Sequence, residues 1–69
     1  MRVKIGDTIK HSLFGGQKLI GKITEIQICR RGEKEGRSVK TADTEKHHGV
    51  VDIDNGHWCY FDQVITVIK

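Results

Sequence analysis

The chain reads as a small all-β protein, a barrel or a sandwich, on three observations. Asn55-Gly56 stands between two apolar-alternating runs, 49–54 and 57–61. Asn-Gly in that setting is the strongest short-range hairpin signal, because a type I′ turn needs positive φ at both central residues. Eight glycines and no prolines punctuate short runs rich in β-branched residues. No stretch carries the apolar spacing of an amphipathic helix of useful length, and nothing repeats.

Sixty-nine residues predict one domain, 1–69. A chain this short buries only about 60% of its extended surface, so few residues are left to build a deep, enclosed catalytic site. An enzyme is therefore not expected. Lys and Arg number 12 against 9 Asp and Glu, a net charge of +3. That balance permits contact with phosphate backbones without demanding it. Nothing approaches 18 consecutive apolar residues, so no membrane span is expected. The chain opens at Met1 without an apolar leader, and Cys29 and Cys59 lie far apart with no Cys-x-x-Cys. A cytoplasmic setting with two free thiols is expected.

The first run, 2–10, places Val3, Ile5 and Ile9 on one parity, and Gly6-Asp7 interrupts it with a kink or bulge. A loop over 11–17 turns on Gly15-Gly16. In the second run, 18–31, Leu19 and Ile23 are odd whereas Ile26 and Ile28 are even. One flat strand cannot keep both sets on one face, so a bulge or bend near Thr24-Glu25 is predicted. Such a strand serves two sheets.

Residues 32–48 form a polar excursion with Val39 and Ala42 as its only apolar side chains, and a short strand near 37–41 pairs back on the second run. The hairpin follows. With Asn55 and Gly56 as a two-residue loop, Ile53 faces Trp58, Asp52 faces Cys59 and Val51 faces Tyr60. Val51, Ile53, Trp58 and Tyr60 then share the core face, and Asp52, Asp54, His57 and Cys59 the outer one. A tight turn at Asp62-Gln63 drops Val64 inward, and 65–68 form the closing strand.

This order resembles the SH3-like barrel superfamily, with its KOW- and Tudor-type members. The residues that carry the likeness are Ile5-Gly6-Asp7-Thr8-Ile9, Gly21-Lys22-Ile23 and the stretch 51–64. The resemblance implies a barrel of five or six antiparallel strands, with a long polar loop, 32–48, between the second and third. It also implies a binding module for nucleic acid, peptide or protein on a barrel face. The loop is long for that superfamily.

Four chemistries compete for the candidate residues. Cys29, Cys59, His57, His47 and His48 match no zinc spacing, so neither metal nor other cofactor is expected. A Cys-His-Asp set from Cys59, His57 and Asp52 or Asp54 lacks a glycine-flanked nucleophile turn. Gly15-Gly16 leads into a strand without the Lys-Ser/Thr of a phosphate loop. The stretch from Arg30 to Lys40 holds five basic and two acidic residues. Arg30, Arg31, Lys34, Arg37 and Lys40 are thus the expected nucleic-acid contacts. With Trp58 and Tyr60 assigned to the core, Phe14 and Phe61 remain for base stacking or partner contact. The expected function is a small non-enzymatic module that binds nucleic acid as a monomer or weak homodimer. The alternative is a protein-interaction or inhibitor module of phage or mobile-element origin, with exposed Phe14 or an edge strand as its contact.

Overall fold

The computed structural model describes residues 1–69. Its strands are β1 (Arg2–Lys4), β2 (Thr8–Ser12), β3 (Lys18–Ile28), β4 (Arg37–Val39), β5 (Thr41–Asp43), β6 (Gly49–Ile53), β7 (Trp58–Tyr60) and β8 (Val64–Ile68). One turn of 3-10 helix, Phe61–Gln63, joins the last two, and there is no α-helix. Every strand pairing is antiparallel. The all-β expectation holds. No helix is long and apolar enough to cross a membrane.

The main sheet runs β7-β6-β3-β2-β8, with β4 added on β3, while β1 and β5 pair as a separate ribbon. The closed barrel expected from the sequence is not formed, because β7 and β8 remain unjoined edges. Gly6, at φ 93°, breaks the first run into two strands, and β1 leaves the main sheet to pair with β5.

The long strand β3 carries the predicted bulge. Ile23 pairs with Ile53 and Glu25 with Asp52, which leaves Thr24 as the extra residue. The Thr24 hydroxyl donates to the Asp52 carbonyl at 3.3 Å. A bulge swaps the parity that faces inward, so Ile23 and Ile26 are both enclosed. The first half of β3 pairs with β2 and the second half lies between β6 and β4.

Residues 32–48 are not one continuous loop. β4 pairs with β3 at Ile26–Ile28, and β5 holds β1 with Ala42 opposite Val3. Ala42 is buried under this ribbon, a role its small side chain did not announce.

The hairpin register differs from the sequence expectation by one residue. Val50 pairs with Tyr60, Val51 with Cys59 and Asp52 with Trp58. Gly56 has φ 84°, and no non-glycine residue has positive φ. A type I′ turn is excluded, since Asn55 would need positive φ as well. Instead the loop is Asp54-Asn55-Gly56, closed by the Ile53 N–H donating to the His57 carbonyl at 3.0 Å. It is a turn with a left-handed glycine in third place, the usual three-residue hairpin loop. One added loop residue flips every side chain of the following strand to the other face. Cys59 therefore packs inside, and Trp58 and Tyr60 lie half-buried on the outer face.

The core comprises Val3, Ile9, Ile23, Ile26, Ala42, Val51, Ile53, Cys59, Phe61 and Val64. Phe61, expected as an exposed contact, is only 2% exposed and supplies the aromatic bulk the sequence reading had assigned to Trp58 and Tyr60. Its place follows from the 3-10 turn, where the Tyr60 N–H donates to the Gln63 side chain at 2.9 Å. Gln63 in turn donates to the Ser12 carbonyl at 3.2 Å and ties the turn to β2.

Candidate nucleic-acid interface

The five basic residues expected as contacts are all exposed, but they do not form one patch. Arg30 and Arg31 lie in the turn after β3, where with His48, Tyr60 and Asp62 they line a cleft of about 220 Å³. The Arg31 guanidinium is 3.0 Å from His48 Nε2. Lys34 sits over the Trp58 ring, 5.4 Å from its centroid, in cation–π geometry. Arg37 stands on β4 opposite Ile28. Lys40 lies at the corner between β4 and β5, where its carbonyl accepts the Ile5 N–H at 3.1 Å. The structure thus brings Arg30 and Arg31 together and spreads the other three.

A second group of cations emerges only from the sheet register. Lys10 pairs with Ile20, Thr8 with Lys22 and Ser12 with Lys18, while Thr8 and Lys10 also pair with Ile68 and Thr66 of β8. The neighbours Ile9 and His11 face the core, so alternation puts Lys10, Lys18, Lys22, Thr8, Ser12 and Thr66 on the outer face. Lys18 and Lys22 are diagonal neighbours of Lys10 across the ladder, about 7–8 Å away. No carboxylate occurs in β2, β8 or the first half of β3. Two carboxylates flank the face: Asp54 accepts the Lys22 backbone N–H at 2.9 Å, and Asp7 accepts the Lys4 backbone N–H at 3.0 Å. Beyond Thr8 and Thr66 the surface continues into an open groove of about 800 Å³ that includes Arg2, Lys4 and Lys69, with Asp7 its only carboxylate side chain. The sequence reading named none of Lys10, Lys18 and Lys22 as contacts. The signal for them was their shared parity across one short β2–β3 hairpin.

Between the two cationic regions lies a row of rings. Phe14 stands at the tip of the 13–17 loop and is 80% exposed. Its ring meets Tyr60 edge-on with centroids 6.1 Å apart, and Tyr60 meets Trp58 at 5.3 Å. Tyr60 also lines the Arg30–Arg31 cleft. Of the two rings expected outside, Phe14 is there and Phe61 is not. Tyr60 and Trp58 take the missing place because of the register.

The outer face of β3 and β6 has the opposite charge. Glu25 accepts hydrogen bonds from Gln27 and Ser38, each at 3.0 Å, and these hold its carboxyl below the usual range. Burial, together with the adjacent Glu25, raises Asp52. A polyanion is repelled from this face.

The thiols are unsuited to nucleophilic work. Burial, with a smaller push from Asp62, raises Cys59 to about 12, so it is not a thiolate at neutral pH. Burial and Glu33 raise Cys29 as well, and its thiol contacts the Glu33 carbonyl at 3.2 Å. His57 is exposed while Cys59 faces the core, so the two do not meet as a dyad. No three His, Cys, Asp or Glu side chains gather as metal donors. No family model, curated protein or solved structure matches the chain.

Proposed function

We propose that the protein is a non-enzymatic binding module that holds a nucleic-acid backbone on the outer face of β8, β2 and the first half of β3. One observation carries the reading: Lys10, Lys18 and Lys22 share a sheet face to which β2, β8 and the first half of β3 contribute no carboxylate. Three like charges so placed raise the local counter-ion concentration, and neutralising phosphates releases bound cations. Thr8, Ser12 and Thr66 add hydroxyls of the kind that contact phosphate oxygens. Arg30 and Arg31 form a second cationic site, with Lys34, Arg37 and Lys40 as scattered contributors. In fold terms the module reads as an opened SH3-like barrel, an inference supported by the bent β3 shared between two sets of partners.

The test is a titration of labelled DNA and RNA over a range of salt. Binding whose log K falls with log salt at about 0.7–0.9 per phosphate contacted supports the reading. Binding that is absent at low salt, or indifferent to salt, overturns it. A protein-interaction module is the second reading, favoured by the 80% exposure of Phe14. Nuclease-resistant capture of one specific protein, with no oligonucleotide binding, would favour it.

A further inference from the structure

We infer that the bound nucleic acid is a single strand, which runs from the lysine face past Phe14 and Tyr60 into the Arg30–Arg31 cleft. The inference rests on the nucleic-acid reading above and extends it. Its basis is the way two cationic sites are joined. Lys18 pairs with Ser12 at the end of the β2–β3 ladder, and the loop they frame is closed by the Leu13 N–H donating to the Gln17 carbonyl at 2.8 Å. Phe14 stands at the tip of that loop. Its ring reaches Tyr60, and Tyr60 shares a cleft with Arg30 and Arg31. Cation, ring, ring and cation follow one another along the surface.

That alternation fits a strand whose bases are free. A duplex presents phosphates outward and hides its base faces, so an exposed ring beside a lysine gains nothing from it. A single strand offers phosphates to the lysines and unstacked bases to the rings. Exposed Phe14 costs apolar hydration when empty, and a stacked base would cover it. Trp58 is a neighbour and not a platform, because Lys34 covers one of its faces and Tyr60 packs against it. The acidic pair Glu25 and Asp52 borders the path on the β3–β6 side and Asp62 lies in the cleft. Glu25 and Asp52 confine the strand to the Phe14–Tyr60 side of β7, while Asp62 offsets part of the positive charge of the cleft.

Trp58 is the only tryptophan in the chain, so its emission reports on the path directly. The experiment titrates the intact protein with an oligothymidylate of about 12 nucleotides, within the usual site size, and with a duplex of the same length. The expected result is tighter binding of the single strand with a change in Trp58 emission. Phe14→Ala, at an exposed position, should weaken single-strand binding about 5- to 100-fold and leave duplex binding alone. Arg30→Ala with Arg31→Ala should lower the salt slope by about 1.4. Equal affinity for both forms, with unchanged Trp58 emission and no effect of Phe14→Ala, would overturn the path while the lysine-face reading stands. Failure of both probes to bind at low salt would remove both readings together.

Discussion

The Asn55 side-chain amide donates to Nε2 of His11 across 3.2 Å, and this contact fastens the hairpin loop to β2. His11 is fully enclosed, and its Nδ1 has no hydrogen-bond partner. Because Nε2 accepts from Asn55, the proton of the neutral ring sits on Nδ1. A second proton would place an N–H against the Asn55 amide donor. Burial, reinforced by His57 and offset in part by the Ser12 backbone, lowers the pKa of His11 from 6.5. The unfolded chain therefore takes up this proton at a higher pH than the folded one. Stability from the neutral ring is complete above about 6.5 and is lost as pH falls through the depressed folded value. Thermal melts from pH 8 down to pH 5 should show the melting temperature falling below about 6.5. His11→Gln, which keeps a polar group toward Asn55, should flatten that decline. An unaltered decline in the variant would assign it to another group.

The loop itself offers a sharper test of backbone geometry. Gly56 has positive φ and Asn55 does not. Gly56→Val should cost about 1 kcal/mol or more in urea unfolding, since β-branched residues resist that region. Asn55→Gly would suit a type I′ turn, where both central residues have positive φ. Here it removes the amide hydrogen bonds to His11 and to the Ile20 carbonyl, and should cost about 1–3 kcal/mol. A stabilised Asn55→Gly variant would restore the two-residue loop and the outward Cys59.

Which parts of this fold were legible follows from what each signal specifies. The parity switch between Ile23 and Ile26 demands a bulge or a bend if both are to be buried, and the Thr24 bulge supplies it. Asn55-Gly56 specifies a turn and leaves its length open, because the third place of a three-residue loop favours glycine as strongly as a type I′ turn does. That ambiguity of one residue inverted β7. Aromatic bulk then misled, since Trp58 and Tyr60 look like core beside a cysteine, while Phe61 fills the interior one residue later. His11 was read as loop because a lone polar residue gives no sign that Asn55, far along the chain, will meet it. The lysine face was hidden for the same reason. Its three members lie in two strands, and only pairing brings them together.

Inversion of β7 predicts a difference between the two thiols. Cys59 is 1% exposed with its pKa pushed up to about 12, whereas Cys29 is half-buried. A thiol reagent at neutral pH should modify Cys29 slowly and leave Cys59 intact until denaturant unfolds the chain. Cys59→Ser should destabilise by about 1–3 kcal/mol, because the core gives a hydroxyl no partner. Rapid labelling of Cys59 in the folded protein would return it to the outer face.

Charge reversal separates the lysine face from the scattered cations Arg37 and Lys40. Lys10→Glu with Lys22→Glu changes one half-buried and one exposed side chain on the outer sheet face and should leave urea unfolding nearly unchanged. If the face holds phosphates, affinity falls and the salt slope drops by about 0.7–0.9 for each phosphate no longer neutralised. Arg37→Glu with Lys40→Glu, at the start and just past the end of β4, should change the slope much less. An equal effect from both pairs would mean a diffuse field and not a face.

The Glu25–Asp52 pair predicts a stabilising substitution. Asp52 stands opposite Glu25 across the bulged ladder, and no cation bridges the two. Burial, then repulsion from Glu25, raises the Asp52 pKa above 3.8. A carboxyl raised in the folded state adds stability below its unfolded value, and that stability is lost as pH rises through the folded value. At neutral pH the ionised Asp52 thus works against folding. Asp52→Asn keeps the shape and removes the charge, so it should raise the melting temperature at pH 7 and lose that advantage toward pH 3. Glu25 differs, because Gln27 and Ser38 already hold its charged form. Glu25→Gln keeps an oxygen to accept those bonds but gives up their charge assistance while it relieves the same repulsion, and should gain less than Asp52→Asn. If Glu25→Gln stabilised the protein more, the strain would lie at Glu25, and the assignment of the half-buried, unpaired charge to Asp52 would fail.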